Sequence, residues 1–168
     1  MIFMKKISGS YYNFLWLLVA VAVLIIDQTS KYWAMYHLPL REFVPVSPFF
    51  NLFFNYNTGA AFSLLEEASG WQQWFFSILA IIISTAIINW LYKMERGKDK
   101  FLKIALMLVM GGAIGNLIDR IFFGGVRDFL DFYWRTHHWP TFNLADSAIC
   151  VGAFLLAIFF LCKEERKE

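Results

Sequence analysis

Charge is scarce in this sequence. Asp, Glu, Lys and Arg make up 17% of its 168 residues, where a soluble domain carries about a quarter. The remainder is 59% hydrophobic and 20% aromatic, with a mean hydropathy of +0.52. A soluble domain of this length could not bury that much apolar surface, so the chain reads as one integral membrane domain. Histidine is nearly as sparse: His37 stands alone, His137 and His138 are adjacent in a loop, and no H-E-x-x-H occurs, which argues against a helical zinc site. The two cysteines, Cys150 and Cys162, share one apolar run. Twelve residues of helix hold them about 18 Å apart, too far to bridge, so they are expected to be small packing residues. Also missing are a Gly-x-Ser-Gly turn, a tight D-x-x-x-D array among Asp119, Asp128, Asp131 and Asp146, and any internal repeat. Ser30 and Lys31 are neighbours, so they point to different helix faces and serve a Ser–Lys dyad poorly.

What the sequence does have is four long apolar runs, at about 12–36, 71–92, 101–121 and 144–162. Each is long enough to span a bilayer. The first follows the basic residues Lys5 and Lys6, as in a secretory signal. No small-x-small cleavage site follows, and the helical pattern continues to Tyr36, so it reads as a retained span. Between the first two runs, residues 37–70 carry Pro39, Pro45 and Pro48 and the aromatic stretch Phe49 to Asn57. That composition favours short strands over helix from Val44 to Asn57. Asn57-Thr58-Gly59 suits a turn, and Ala60 to Leu65 suits a short amphipathic surface helix. Residues 122–143 read as a second outer loop. Gly111, Gly112 and Gly115 give the third run a small-residue face for close helix packing.

Lysine and arginine cluster at Lys5 and Lys6, in the connector from Lys93 to Lys103, and at Lys163, Arg166 and Lys167. The positive-inside rule then places both termini in the cytoplasm. With that topology Asp27, Lys31, Asn57, Asn116, Asp119, Arg120, Asp128, Asn143 and Asp146 all reach the outer face, and the inner half has almost no ionisable groups. A carboxylate at a membrane helix centre costs roughly 3 kcal/mol on insertion scales, so one-sided clustering points to a polar site. Simpler readings stand beside it. Asn143 and Asp146 have the spacing of a helix N-cap and its capping-box acid. Asp27 and Lys31 can pair at i,i+4, Asp119 can pair with Arg120, and Asp128 can pair with Arg127 or Arg135 in solvent. A proton-relaying transporter would need ionisable residues through the whole bilayer depth, and a metal-dependent phosphotransferase would need the missing carboxylate array. Two aspartates acting without metal remain: held about 3 Å apart they share a proton, one serving as base and the other as acid.

Five segments, in order, resemble a known family: Asp27-Gln28-Thr29-Ser30-Lys31, Asn57-Thr58-Gly59-Ala60-Ala61-Phe62, Gly115-Asn116-Leu117-Ile118-Asp119-Arg120, Val126-Arg127-Asp128-Phe129 and Phe142-Asn143-Leu144-Ala145-Asp146-Ser147. Together they look like bacterial prolipoprotein signal peptidase, signal peptidase II. The resemblance implies an intramembrane aspartic endopeptidase of the bacterial inner membrane that cleaves before a diacylglyceryl-modified cysteine. It implies Asp128 and Asp146 as the catalytic pair, and Asp27, Asn57, Gly59, Asn116, Arg120 and Asn143 as substrate-binding, with Lys31 and Asp119 as structural polar residues. It further implies four transmembrane helices with a small β-rich cradle formed by the first outer loop. The expected partners are a lipidated prolipoprotein and membrane phospholipids, with no metal, cofactor or nucleic acid, and the expected state is a monomer.

Overall fold

The computed structural model describes residues 12–59, 70–95, 97 and 99–164. Helix α1 (Leu17–His37) follows a single 3₁₀ turn, Phe14–Trp16. Strands β1 (Phe43–Ser47) and β2 (Phe50–Asn57) come next, then helices α2 (Trp71–Lys93) and α3 (Lys100–Phe123), strands β3 (Val126–Trp134) and β4 (His137–His138), and helix α4 (Leu144–Glu164). All four helices are long and apolar enough to cross a membrane. Helix α1 begins five residues after the start read from hydropathy, at Leu17, and the remaining helix ends lie within two residues of the expected bounds. The amphipathic helix expected at Ala60 to Leu65 lies outside the described residues.

Helix α3 is the centre of the bundle. In its most apolar window 61% of residues are buried, against 17% in each of the other three helices. It packs on α1, α2 and α4, and its glycines explain how. A Cβ on Gly111 would stand 2.8 Å from the Ala20 carbonyl oxygen of α1, and one on Gly112 would collide with the Ala145 carbonyl of α4. Backbone-to-backbone approach of this kind is what small residues permit in membrane helices. The other three helices turn large apolar residues outward, among them Leu18, Ile25, Ile82, Trp74, Phe154 and Leu161, as lipid-facing surfaces require. Cys150 and Cys162 are also on that exposed surface as free thiols, so they are not packing residues. The chain leaves α3 at Gly124, which takes a positive φ of 68°, the left-handed stop that glycine adopts without strain.

The sheet lies where α1 and α3 end and α4 begins. Its order is β1-β2-β3-β4, antiparallel throughout. The first outer loop thus contributes only half of it. Residues 122–143, expected to be loop, supply β3 and β4. Val126, Phe129, Phe132, Tyr133 and Trp134 are strand-favouring residues, but the charged residues among them break the pattern of a strand. Ala34, Phe54 and Phe129 form a small core between α1 and the sheet. A bridge between Leu130 and Phe142 then straps the approach to α4 against β3. That strap brings Asn143 beside Asp128.

At the opposite end of the bundle, Lys103 is only 1% exposed. Its Nζ donates to Asn13 Oδ1 at 2.9 Å and to the Glu95 carbonyl at 3.0 Å, while Asn13 Nδ2 donates to the carbonyls of Leu91 and Met94. The two side chains serve the carbonyl end of α2, where a cation is favoured by the helix dipole. Lys103 is therefore not a headgroup-facing lysine, and the end of the bundle expected to have almost no ionisable groups does bury one among the described residues.

Candidate active site

Asp128 lies on β3, opposite Asn55 of β2, and Asp146 lies in the first turn of α4. Both are buried, at 0% and 4% exposure. The side chain of Asn143 links them. Its Nδ2 donates to Asp128 Oδ1 at 2.6 Å, and its Oδ1 accepts from the Asp146 backbone N–H at 2.9 Å. Asp146 Oδ2 in turn accepts from the Asn143 backbone N–H at 3.3 Å. This is the reciprocal capping box expected from the spacing. It occupies one oxygen of Asp146 and leaves the other, Oδ1, to accept from Asn116 Nδ2 at 2.8 Å. Capping and participation in a site are therefore compatible. Asp128 Oδ2 accepts from Asn57 Nδ2 at 2.9 Å. Three asparagines thus present amide N–H groups to two buried carboxylates, and among the described residues neither carboxylate is in an ion pair.

Asp128 is not the solvent-exposed partner of Arg127 or Arg135. Burial and then the negative charge of Asp146 push its carboxyl up to about 8, against the opposing pull of the Asn57 and Asn143 amides and of Lys31. A buried carboxylate next to another is held protonated in just this way. Both effects favour the protonated form of Asp128. Asp146, at a helix N-terminus that favours negative charge, is the member suited to carry the ionised form.

The nearby charges neutralise one another. Lys31 Nζ is 2.9 Å from Asp27 Oδ2 and 3.2 Å from Asp119 Oδ2, and Asp119 Oδ1 is 2.8 Å from Arg127 Nη2. Gln28 Nε2 lies 3.1 Å from Asp27 Oδ2 and from Asp119 Oδ1, while Arg127 donates to Gln28 Oε1 at 2.9 Å. The Arg127 guanidinium sits 4.0 Å from the Phe123 ring centroid and 4.5 Å from that of Tyr32, a cation–π contact with two rings that stand edge to face. Gly115 makes room for this cluster, since a Cβ there would stand 2.5 Å from Asp27 Oδ2. The expected i,i+4 pair of Asp27 with Lys31 is present. Asp119, however, pairs with Lys31 and Arg127 rather than with its neighbour Arg120.

The structure therefore distributes the expected site residues over two layers. Asn57, Asn116 and Asn143 touch the aspartates. Asp27, Lys31 and Asp119 are wholly buried behind them, with Asp27 Oδ1 accepting from the Ala145 N–H. Arg120 is half-buried and lies in the field of both Asp128 and Asp146. Its guanidinium is 5.3 Å above the Phe76 ring and, among the described residues, makes only long hydrogen bonds, 3.4 Å, to the carbonyls of Asn116 and Gly59. Gly59 is fixed by an Asx turn, its N–H donating to Asn57 Oδ1 at 2.8 Å. Asp131 is separate: it lies three residues beyond Asp128, on the other side of the strand by alternation, and accepts from Asn51 while facing His138 at 2.9 Å. Gln28 and Arg127 were missed as members of the cluster, although both stand inside the motifs quoted above. A glutamine and an arginine one residue from Asp27 and Asp128 were the available signal.

A family model described as signal peptidase (SPase) II matches residues 19–162. The lipoprotein signal peptidase of Shewanella loihica is 49% identical over 151 residues, which cover 90% of this chain and 88% of that one. That of Yersinia pestis is 52% identical over 141 residues, covering 84% and 83%. Two solved structures, each described as a bacterial membrane enzyme, superpose with TM-scores of 0.80 and 0.75 at 34% and 36% identity. The first covers 92% of both chains, the second 88% of this chain and 92% of its own. The chain belongs to the signal peptidase II family.

Proposed function

We propose that this chain is an intramembrane aspartic endopeptidase that removes the signal peptide from diacylglyceryl-modified prolipoproteins, cutting before the lipidated cysteine, with Asp128 and Asp146 as the catalytic pair. One observation carries the reading. Among the charged groups at this end of the bundle, Asp27, Lys31, Asp119 and Arg127 pair with one another, whereas Asp128 and Asp146 are buried and, among the described residues, have only amide donors hydrogen-bonded to them. A buried carboxylate pair without a counter-ion is costly unless it shares a proton.

The chemistry follows from that proton. The ionised carboxylate of Asp146 takes a proton from a water molecule, whose oxygen attacks the scissile carbonyl carbon. Protonated Asp128 donates to the carbonyl oxygen, giving a neutral tetrahedral diol. Asp146 then gives its proton to the leaving nitrogen while Asp128 takes one back from a diol hydroxyl. The C–N bond breaks, the signal peptide leaves with a new carboxyl terminus and the lipidated cysteine becomes the new N-terminus. Arg120, whose Nε has no partner among the described residues, and Gly59 suit contacts to the substrate backbone. Asn57, Asn116 and Asn143 orient the pair.

Turnover of a lipidated prolipoprotein tests the assignment. Asp128→Asn and Asp146→Asn should each lose about 10²–10⁴-fold in kcat while melting cooperatively, and the double variant should be about as inactive as either single one, because the two act as a unit. A folded single variant with near wild-type turnover refutes it. The site would face the outer side with both termini cytoplasmic, supported by Lys93, Lys100 and Lys163 at the other end of the bundle. A reporter fused after Lys163 that reads as exported would reverse that orientation.

A further inference from the structure

Each aspartate of the pair directly follows a residue whose backbone N–H is held by the ion cluster behind the site. Ala145 donates to Asp27 Oδ1 at 2.9 Å, and Arg127 donates to Asp119 Oδ2 at 2.9 Å. Those two carboxylates are in turn held relative to each other by Lys31, whose Nζ lies 2.9 Å from Asp27 Oδ2 and 3.2 Å from Asp119 Oδ2. Its third contact is Asn116 Oδ1 at 2.8 Å, and the Nδ2 of the same amide donates to Asp146 Oδ1 at 2.8 Å. All three ammonium protons are thereby directed. One points toward the start of α4, one toward the start of β3, and one fixes which way the Asn116 amide faces.

We propose that Lys31 is the positioning residue of the dyad: it sets the separation of Asp128 from Asp146 by locking together the two carboxylates that hold residues 127 and 145. This rests on the reading of Asp128 and Asp146 as the catalytic pair. The link is short and stiff. From each held N–H the next Cα is one residue of regular helix or strand away, so a displacement at the carboxylate reaches the catalytic side chain undiminished. Asp27 and Asp119 come from different helices, α1 and α3, and the aspartates from α4 and β3. The Leu130–Phe142 bridge and the Asn143 side chain tie β3 directly to the start of α4, and Lys31 adds the tie that runs through α1 and α3. A lysine suits the position because its ammonium is a compact charge with three donors that can face three directions, whereas the arginine fork is planar. Lys31 is also 0% exposed, so it acts through the dyad and not on the substrate.

Two variants test this, with kcat, KM and the pH–rate profile measured on a lipidated prolipoprotein and kcat normalised to the cooperatively melting fraction. In Lys31→Met, kcat should fall on the order of 10²-fold, the loss typical of about 1 Å of misplacement, while KM stays within about threefold. The profile should also move to higher pH. Asp128 and Asp146 are faced by Lys31 from α1 and Arg120 from α3, and one of those cations is gone. That variant leaves an unbalanced carboxylate, so Lys31→Met/Asp27→Asn is the second. It leaves Asp119 against Arg127, and the new amide oxygen can still accept from the Ala145 N–H. It should melt close to wild type yet remain at least tenfold down in kcat. Recovery of wild-type kcat in the double variant overturns the proposal. So does a Lys31→Met enzyme whose folded fraction has wild-type kcat and an unmoved pH profile, since a merely structural lysine would behave so. Asp128→Asn in the same assay separates the two levels: if it is active, the dyad reading itself has failed.

Discussion

Raising the pH should destabilise this protein through Asp128, and replacing that residue by asparagine should remove the effect. The carboxyl titrates at 3.8 as an ordinary group and at about 8 in the folded chain. Between those values the native state holds a proton that the unfolded chain has released, so stability falls as pH rises. Below pH 3.8 both states are protonated, and above about 8 the loss is complete. Converted at about 1.4 kcal/mol per pH unit, the rise from 3.8 to about 8 is on the order of 6 kcal/mol at its full extent. The amide introduced by Asp128→Asn is neutral throughout and can still accept from Asn143 or Asn57. The melting temperature of Asp128→Asn relative to wild type should therefore climb by roughly 10–20 °C between pH 4 and pH 9. Differential scanning fluorimetry of both proteins in one detergent reads this directly. Parallel curves across that range would refute the assignment of the shared proton to Asp128. The same proton sets the alkaline limb of catalysis: kcat/KM should break near pH 8 and fall tenfold per unit beyond it.

Asp131→Asn should keep turnover within a few-fold of wild type, because Asp131 serves Asn51 and His138 and not the dyad; a dead, well-folded variant would show that the wrong carboxylate of β3 had been chosen. Gly112→Ala should lower stability by about 1–3 kcal/mol, measured as a drop in melting temperature, since its Cβ meets the backbone carbonyl of Ala145 and the helices must separate. Because Ala145 precedes Asp146, that variant should also lose activity in the fraction that remains folded.

The spans were legible because lipid imposes one simple demand on them: about twenty apolar residues per crossing. The half of the sheet built from residues 122–143 was not. Its strand Val126–Trp134 buries Arg127, Asp128 and Asp131, three charges that make it read as a solvated loop. Their burial is possible only because partners arrive from elsewhere in the chain: Asp119 for Arg127, Asn57 and Asn143 for Asp128, Asn51 for Asp131. The same cause hid the cluster behind the site. Asp27 and Lys31 are four residues apart, so their pairing could be read from helical spacing. That Lys31 also reaches Asp119 and Asn116, 88 and 85 positions away in sequence, is a property of how closely α1 and α3 pack. The closeness comes from the small residues of α3, and their meaning is chemical as well as steric. Gly111 lets α1 approach and Gly112 lets α4 approach, while Gly115 leaves the volume that the Asp27 carboxylate fills. A side chain at any of the three would part the helices whose ends carry the polar groups. The glycine face that reads as membrane helix packing is therefore what lets charges from two helices and the strand β3 meet in one buried cluster, and the cluster in turn holds the backbone next to each aspartate of the dyad.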